Sequence, residues 1–351
     1  MREIELDGVR VADDTGAYVI AEIGHNHQGS LETARAMLEK ARECGVHAVK
    51  LQKRSNRDLF TGAVYDSPYA GENSYGDTYG THREALEFGE EEYLALKAFA
   101  SELGLSFFAT AFDFASADFL ERISIPFYKI ASGDLTNIPL LRYIASFGKP
   151  MILSTGGGTM DDVRRALNAI LPVNSKVSVL QCTACYPVEN YGEMNLEVIR
   201  TYRREFPEIV VGLSDHESGI SMAVAAFALG ARIVEKHFTL NRAWRGTDHA
   251  FSLAPSGLRR LVRDLERARQ AMGDGVKRRY PSEEKPLFKM SKALVAARDL
   301  PAGHVIAGED VAIKSPGDGL APYEIERVIG RRLLEPLAED APFSLEGLAE
   351  G

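Results

Sequence analysis

The stretch VVGLSDHESGISMAVAAFALGARIVEKHF, residues 210–238, carries the topology of this chain. Two short apolar runs of strand character, at 210–214 and 232–237, bracket a helix-length segment at 218–229. Each run leads into a histidine, His216 or His237. Adjacent strands of a parallel barrel project their last residues toward the same mouth. The two imidazoles are therefore expected to meet around one divalent cation.

The same alternation extends through the first 270 residues. Strand-like runs are predicted at 18–23, 48–53, 106–110, 127–131, 151–154 and 177–182, in addition to the two above. Helical patterns are predicted at 31–44, 91–103, 115–122, 138–147, 160–171, 195–206, 218–229 and 255–272. Eight such pairs fit a (β/α)8 TIM barrel of class α/β, spanning residues 1–272. A doubly wound sheet ranks second, because no GxGxxG follows the first strand. One connection, residues 54–90, is too long for a simple turn and rich in Tyr, Gly, Asp and Asn. Its aromatic content favours an ordered excursion over the substrate. After Met272 the pattern breaks: residues 273–290 are charged, contain two prolines and read as a linker. Residues 291–351, with closely spaced Gly and Pro turns, predict a second, small domain that needs a surface to pack on.

Composition narrows the partners. The 351 residues are 45% hydrophobic, and 41 basic against 50 acidic residues give a net charge of −9. No dense Lys/Arg run accompanies that balance, so nucleic acid is not an expected partner. No apolar stretch has membrane-spanning length, and the start MREIEL does not read as a signal peptide. Three cysteines cannot build a disulfide framework, which predicts a cytoplasmic protein. Cys182 and Cys185 have CxxC spacing, open to a redox or half-zinc reading. The lack of a second CxxC, and the position behind a buried-looking strand, argue against both.

Strand period two identifies which residues share a face. In HAVKLQK, Lys50 and Gln52 point one way while Val49 and Leu51 point toward helices. A lysine within an apolar strand is costly unless an anion or carboxylate pairs with it. Lys129 in PFYKIASGD repeats the situation. One such lysine is ordinarily a structural ion pair; two, with Thr110, Ser132 and Ser154 nearby, read as a phosphate or carboxylate pocket. The run Gly156–Gly158 would let backbone amides approach a phosphate, although it is equally a plain turn. A lone rim histidine is normally a neutral hydrogen-bonded group. Two on consecutive strands, with Asp215 and Glu235 beside them, suit a catalytic ion with open coordination positions. Glu22 in AEIGHNHQG is read as base, hydroxyl acceptor or metal ligand, in competition with a salt bridge to Lys50. His25 and His27 in the loop beyond decide nothing alone. Asp248 in WRGTDHAFSL sits at the same mouth and could bind hydroxyls or relay a proton.

The segments AEIGHNHQG, VKLQK, YKIASGD, ILSTGG, LQCTACYP, GLSDHESG, ARIVEKHFTL and GTDHAFSL resemble the sialic acid synthase family. The resemblance runs from about residue 18 to 345 and implies a C-terminal antifreeze-like SAF domain of β-clip type. It implies a metal-dependent condensation of phosphoenolpyruvate with the open-chain aldehyde of an N-acylated mannosamine, releasing phosphate by C–O cleavage. By resemblance His216 and His237 hold Mn²⁺, or else Mg²⁺ or Co²⁺. Lys50, Thr110, Lys129, Ser132, Ser154 and Ser214 surround phosphoenolpyruvate, and Gln52, Asp134, Tyr186 and Asp248 contact the sugar. Glu22, His237 and Asp248 are then the catalytic group. The family also implies a homodimer in which each SAF domain covers the partner's active site.

Two departures leave the acceptor open. Several bacterial relatives carry Arg in the SAF loop where this chain has Ser315, and the resemblance departs again at Ala184, in place of Asn. The excursion resembles animal-type enzymes that use a 6-phosphorylated sugar, and His82 and Arg83 could meet that phosphate, although an exposed basic pair is more often solvated surface. The free sugar, its 6-phosphate and a diacetamido sugar of the legionaminic or pseudaminic type all stay candidates. From other classes, a metal-independent aldolase with a Schiff base on Lys129 or Lys50, and a non-catalytic sugar-binding barrel, are the alternatives.

Overall fold

The computed structural model describes residues 1–349 and divides into two units, Met1–Gly273 and Asp274–Gly351. In the first, strands β1 (Glu3–Leu6) and β2 (Val9–Ala12) form a hairpin. Eight parallel strands follow: β3 (Tyr18–Gly24), β4 (Ala48–Lys53), β5 (Ser106–Ala111), β6 (Tyr128–Ile130), β7 (Met151–Ser154), β8 (Val177–Cys182), β9 (Val210–Asp215) and β10 (Ile233–His237). They close into a barrel when β10 pairs with β3. This is the predicted TIM barrel. The strands are buried on both faces, as parallel strands under a ring of helices must be.

Local chemistry sets the helix ends. Ser30, Asp113, Asn137 and Thr159 each accept a hydrogen bond from a backbone amide in the first turn of the helix that follows. Helices Leu31–Cys44 and Ser221–Leu229 stop at Gly45 and Gly230, whose φ values of 85° and 109° suit a residue without Cβ. Among the described residues no helix is long and apolar enough to cross a membrane.

The barrel interior has two layers. Tyr18, Ile20, Ala48, Phe108, Phe127, Ile152, Leu180, Val210 and Ile233 fill its N-terminal half and pack against Ile4, Leu6 and Val11 of the hairpin. That hairpin was not anticipated from the sequence. Its signal is the Asp7-Gly8 turn, with φ of 52° and 78°, after a strand that alternates exposed and buried residues. Further along the same inward face most strands turn polar, as at Glu22, Lys50, Thr110, Lys129, Ser154, Ser214 and Glu235, and the site lies there.

The excursion after β4 is ordered. It holds short helices Asn56–Leu59, Gly62–Tyr65 and Tyr79–Glu84. It is fastened to the loop after β10: Tyr75 Oη donates to the Arg245 carbonyl at 2.8 Å, and the Gly246 amide donates to Asn73 Oδ1 at 2.8 Å. The two loops form one wall above the barrel mouth.

In the second unit, the stretch expected to be a linker contains helix Glu284–Met290, with no buried residue. Beyond it, β11 (Ala293–Ala296) pairs antiparallel with β12 (Val311–Lys314). A small core of Leu294, Ala296, Leu300, Ile306, Val328, Leu333, Phe343 and Leu348 holds the unit together. Ser315 lies just past β12, where its hydroxyl accepts from Lys292 Nζ at 2.7 Å.

Candidate active site

A cavity of about 470 Å³ opens at the C-terminal end of the barrel, where loops and strand ends converge in this fold. Of the residues singled out from the sequence, Glu22, Lys50, Gln52, Thr110, Lys129, Ser132, Ser154, Tyr186, Ser214, His216, His237 and Asp248 all line it. Register explains the convergence. Glu22 stands opposite Lys50 on one side and His237 on the other, and Gln52 stands opposite Thr110.

A buried charge network forms the floor. Lys50 Nζ lies 2.8 Å from Glu22 Oε2, donates to Thr110 Oγ1 at 2.8 Å and is 3.7 Å from Glu235 Oε1. Lys129 Nζ donates to Ser154 Oγ at 2.6 Å and lies 4.0 Å from the same Glu235 oxygen. Gln52 Nε2 donates to Glu22 Oε1 at 2.7 Å. Burial raises the Glu22 pKa to about 7; Lys50 opposes the rise and Glu235 adds to it. Burial also lowers that of Lys129, against the pull of Glu235. Glu235 itself is held below its ordinary value: burial would raise it, but Lys129 and Lys50 outweigh that. Two ammonium groups thus share a region with two carboxylates, flanked by hydroxyls. A dianionic ligand would meet donors already in place.

The paired histidines meet as the βαβ pattern requires, with ring centroids 5.4 Å apart. His216 Nδ1 sits 2.8 Å from the Thr183 carbonyl, which assigns the proton to Nδ1 and leaves the Nε2 lone pair free. Burial, reinforced by His237, lowers the His216 pKa to about 4, and burial lowers that of His237. Both rings are therefore neutral at pH 7. His237 Nδ1 and Glu235 Oε2 are buried without a hydrogen-bond partner. Lone pairs left unsatisfied beside a second neutral imidazole are what a divalent cation would satisfy, so the residues fit the metal. No group of three or more His, Cys, Asp or Glu converges among the described residues. Two imidazole donors alone would leave such an ion open positions for water and substrate, unlike a closed structural site. Asp248 Oδ2 lies 3.7 Å from His237 Nδ1, and the Tyr186 ring packs 4.0 Å from that of His216.

Several sequence expectations land elsewhere. Asp134 does not line the cavity; its carboxylate accepts from Asn137, the residue capping helix Ile138–Ser146. Asp215 is taken by Lys236 at 2.7 Å, because both alternate away from the barrel interior. His82, read as an exposed basic residue, is buried among Tyr69, Tyr75 and Tyr79 and accepts from the Tyr75 amide. His27 is buried against Phe88. The Gly156 amide donates to Ser132 Oγ at 3.0 Å. Cys182 and Cys185 are free thiols, one buried and one exposed. Sequence reasoning gave no role to Arg54, and only a supporting one to Glu235. Both line the cavity. For Glu235 the signal was available: it alternates with His237 on one strand face.

Fold and site define a (β/α)8 barrel enzyme with a polar, cation-lined mouth and a small appended β domain. The chain belongs to the NeuB family, whose model matches residues 37–277, and a SAF-domain model matches residues 291–349. It is 37% identical over 340 residues to N-acetylneuraminate-9-phosphate synthase of Homo sapiens, covering 96% of this chain and 94% of that protein. It is 35% identical over 322 residues to N,N'-diacetyllegionaminic acid synthase of Legionella pneumophila, covering 90% of each. The crystal structure of N-acetylneuraminic acid synthetase from Leptospira borgpetersenii, in complex with citrate, matches with a TM-score of 0.71 at 31% identity, over 82% of this chain and 95% of that one. The chain is thus a synthase of the sialic acid type.

Proposed function

We propose that this enzyme condenses phosphoenolpyruvate with the open-chain aldehyde of an N-acylmannosamine, free or phosphorylated, to give a nine-carbon 3-deoxy keto acid and inorganic phosphate. One juxtaposition carries the reading: an ammonium and hydroxyl cradle on Lys50, Lys129, Thr110, Ser154 and Ser214 shares a cavity with two neutral imidazoles. His216 and His237 would hold a divalent ion, Mn²⁺ in preference to Mg²⁺ or Co²⁺. Such an ion, when bound, polarises the aldehyde oxygen.

The residues divide the remaining work. Lys50 and Lys129 hold the phosphate and carboxylate of the enol ester, with Ser132, Ser154 and Thr110 as hydroxyl donors. C3 of the enol attacks the aldehyde carbon, a C–C bond forms, and the aldehyde oxygen takes a proton. Positive character is left at C2, which the Glu22 and Glu235 carboxylates offset. Glu22, with its pKa near 7, is suited to take the proton from the water that adds at C2. The C2–O bond to phosphate then breaks as the new C2 hydroxyl gives its proton to the departing phosphate, leaving the ketone. Gln52, Tyr186 and Asp248 orient sugar hydroxyls.

Phosphate release from phosphoenolpyruvate, measured with a panel of mannose-type acceptors before and after chelation, tests this. Release should require both the acceptor and Mn²⁺. Turnover that survives chelation, with a borohydride-trapped adduct on Lys129, would replace the reading with a Schiff-base aldolase; the lowered pKa of Lys129 is the observation that favours that alternative. A homodimer, with each SAF domain over the partner's barrel mouth, belongs to the same proposal, as does a cytoplasmic setting, which the three free thiols support. A fully active monomer by light scattering would end the dimer proposal.

A further inference from the structure

The outward faces of β9 and β10 are apolar except at one pair. On β9 that face reads Val211, Leu213, Asp215; along β10 it reads Val234, Lys236 and, just past the strand end, Phe238. The four hydrocarbon side chains belong to the layer between strands and helices. Helix Ser221–Leu229 packs against β9 there, with Ala223, Ala226 and Phe227 buried. Asp215 and Lys236 stand opposite each other at the end of the ladder between the two strands. Both are buried, at 1% exposure, and neither lines the cavity.

Stability does not account for such a pair. The desolvation of an ammonium and a carboxylate is offset only partly by their attraction, and well-packed hydrocarbon of similar volume is often as stable or more so. A buried ion pair instead supplies direction, because its hydrogen bonds form in one arrangement of the groups that carry them.

Those hydrogen bonds enclose His216. Asp215 Oδ1 accepts from the Glu217 amide at 2.8 Å, and Asp215 Oδ2 accepts from Lys236 Nζ at 2.7 Å. Lys236 Nζ also donates to the Glu217 carbonyl. The residues on either side of His216 are thereby tied to the residue that precedes His237. His216 has other anchors: its carbonyl accepts from the Val188 amide at 3.2 Å, and its Nδ1 lies 2.8 Å from the Thr183 carbonyl. Both come from the loop after β8, so they orient the ring without fixing its distance from His237. The ladder between β9 and β10 ends one residue short of His216 and cannot fix it either.

We propose that Lys236 and Asp215 are positioning residues for the paired imidazoles: their ion pair, from behind the barrel wall, sets the spacing at which His216 and His237 serve one divalent ion, with ring centroids 5.4 Å apart. The inference rests on the two-histidine reading above and adds the residues that hold the two rings in register. Groups that orient metal ligands without touching the metal typically govern its affinity by about 10- to 100-fold.

The test measures Mn²⁺ affinity of the full-length enzyme, from the EPR signal of the free ion, alongside the Tm of the metal-free protein. The variant that decides is Asp215→Asn/Lys236→Met, which removes both charges at similar volume and leaves an acceptor for the Glu217 amide. Its Kd for Mn²⁺ should rise by roughly 10- to 100-fold, while its Tm stays close to that of wild type. Lys236→Arg, which keeps the charge and its donors, should recover part of the lost affinity. A wild-type Kd in the double variant would overturn the positioning role and leave the pair purely structural. A weaker Kd accompanied by a collapsed Tm would overturn it too, because the pair would then hold the barrel rather than the two rings. Absence of Mn²⁺ binding by wild type, or binding unchanged in His237→Ala, would remove the two-histidine reading itself and the positioning role with it.

Discussion

The two halves of the barrel interior are built from the same strands and the same inward face, yet they follow opposite rules. Along β4, Ala48 belongs to the apolar layer and Lys50 to the charged one; along β5 the pair is Phe108 and Thr110, and along β7 Ile152 and Ser154. The lower half removes hydrocarbon from water at about 25 cal/mol per Å² and contributes stability. The upper half buries Lys50, Lys129, Glu22 and Glu235, whose desolvation their mutual attraction only partly offsets. A barrel can carry such a cluster because the layer beneath it, sealed by the N-terminal hairpin, supplies the surplus.

If that division holds, substitutions in the two halves should have different signatures. His237→Ala should lower turnover by at least about 10³-fold while moving folding stability by less than about 1 kcal/mol. Substantial metal-independent activity in that variant would remove the two-histidine assignment. Phe108→Ala should do the reverse, costing about 3–5 kcal/mol in urea unfolding with both KM values retained. A catalytic defect matching its stability loss would show that the halves are not separable. Glu235→Gln tests the boundary between them. It should destabilise by about 2–3 kcal/mol, because Lys50 and Lys129 lose a shared counter-charge. Inorganic phosphate should then raise the Tm of this variant by more than that of wild type; an equal response would sever the link between the lysines and an anion.

The smallest effect concerns His27, packed on Phe88 above the barrel. Burial, with His25 as the next cause, lowers its pKa to about 3. A base with a lowered folded pKa contributes stability that is present above its unfolded pKa, near 6.5, and lost as pH falls toward 3. Taking the wild type from pH 7 to pH 5 should therefore cost about 2 kcal/mol through this residue, and His27→Gln should recover most of that slope. Parallel pH profiles for the two proteins would show that His27 is reached by solvent before unfolding.

Much of this was legible because parallel strands under helices read as continuous apolar runs, so all eight appear in the sequence with nearly their final bounds. Period two then sorted Lys50 with Gln52, and the βαβ unit placed His216 beside His237. Within the single turn Ser132–Asp134, Ser132 lines the cavity while the Asp134 carboxylate accepts from Asn137, a difference that spacing in the sequence does not show. The hairpin escaped notice because four-residue strands with two exposed glutamates carry too little apolar signal.

Alternation along a strand is a local property of the backbone, and residue order alone was enough to assign the faces, the eightfold repeat and the paired imidazoles. Depth and company are not local. Strand tilt sets Lys50 against Phe108, and Lys129 against Ile152, so that charged and apolar residues from neighbouring strands lie at one level. Glu235 reaches both lysines only because the sheet closes on itself, and Arg83 reaches the cavity only because the excursion folds back over the mouth. Those contacts join residues far apart in the chain, and no pattern of short period encodes them.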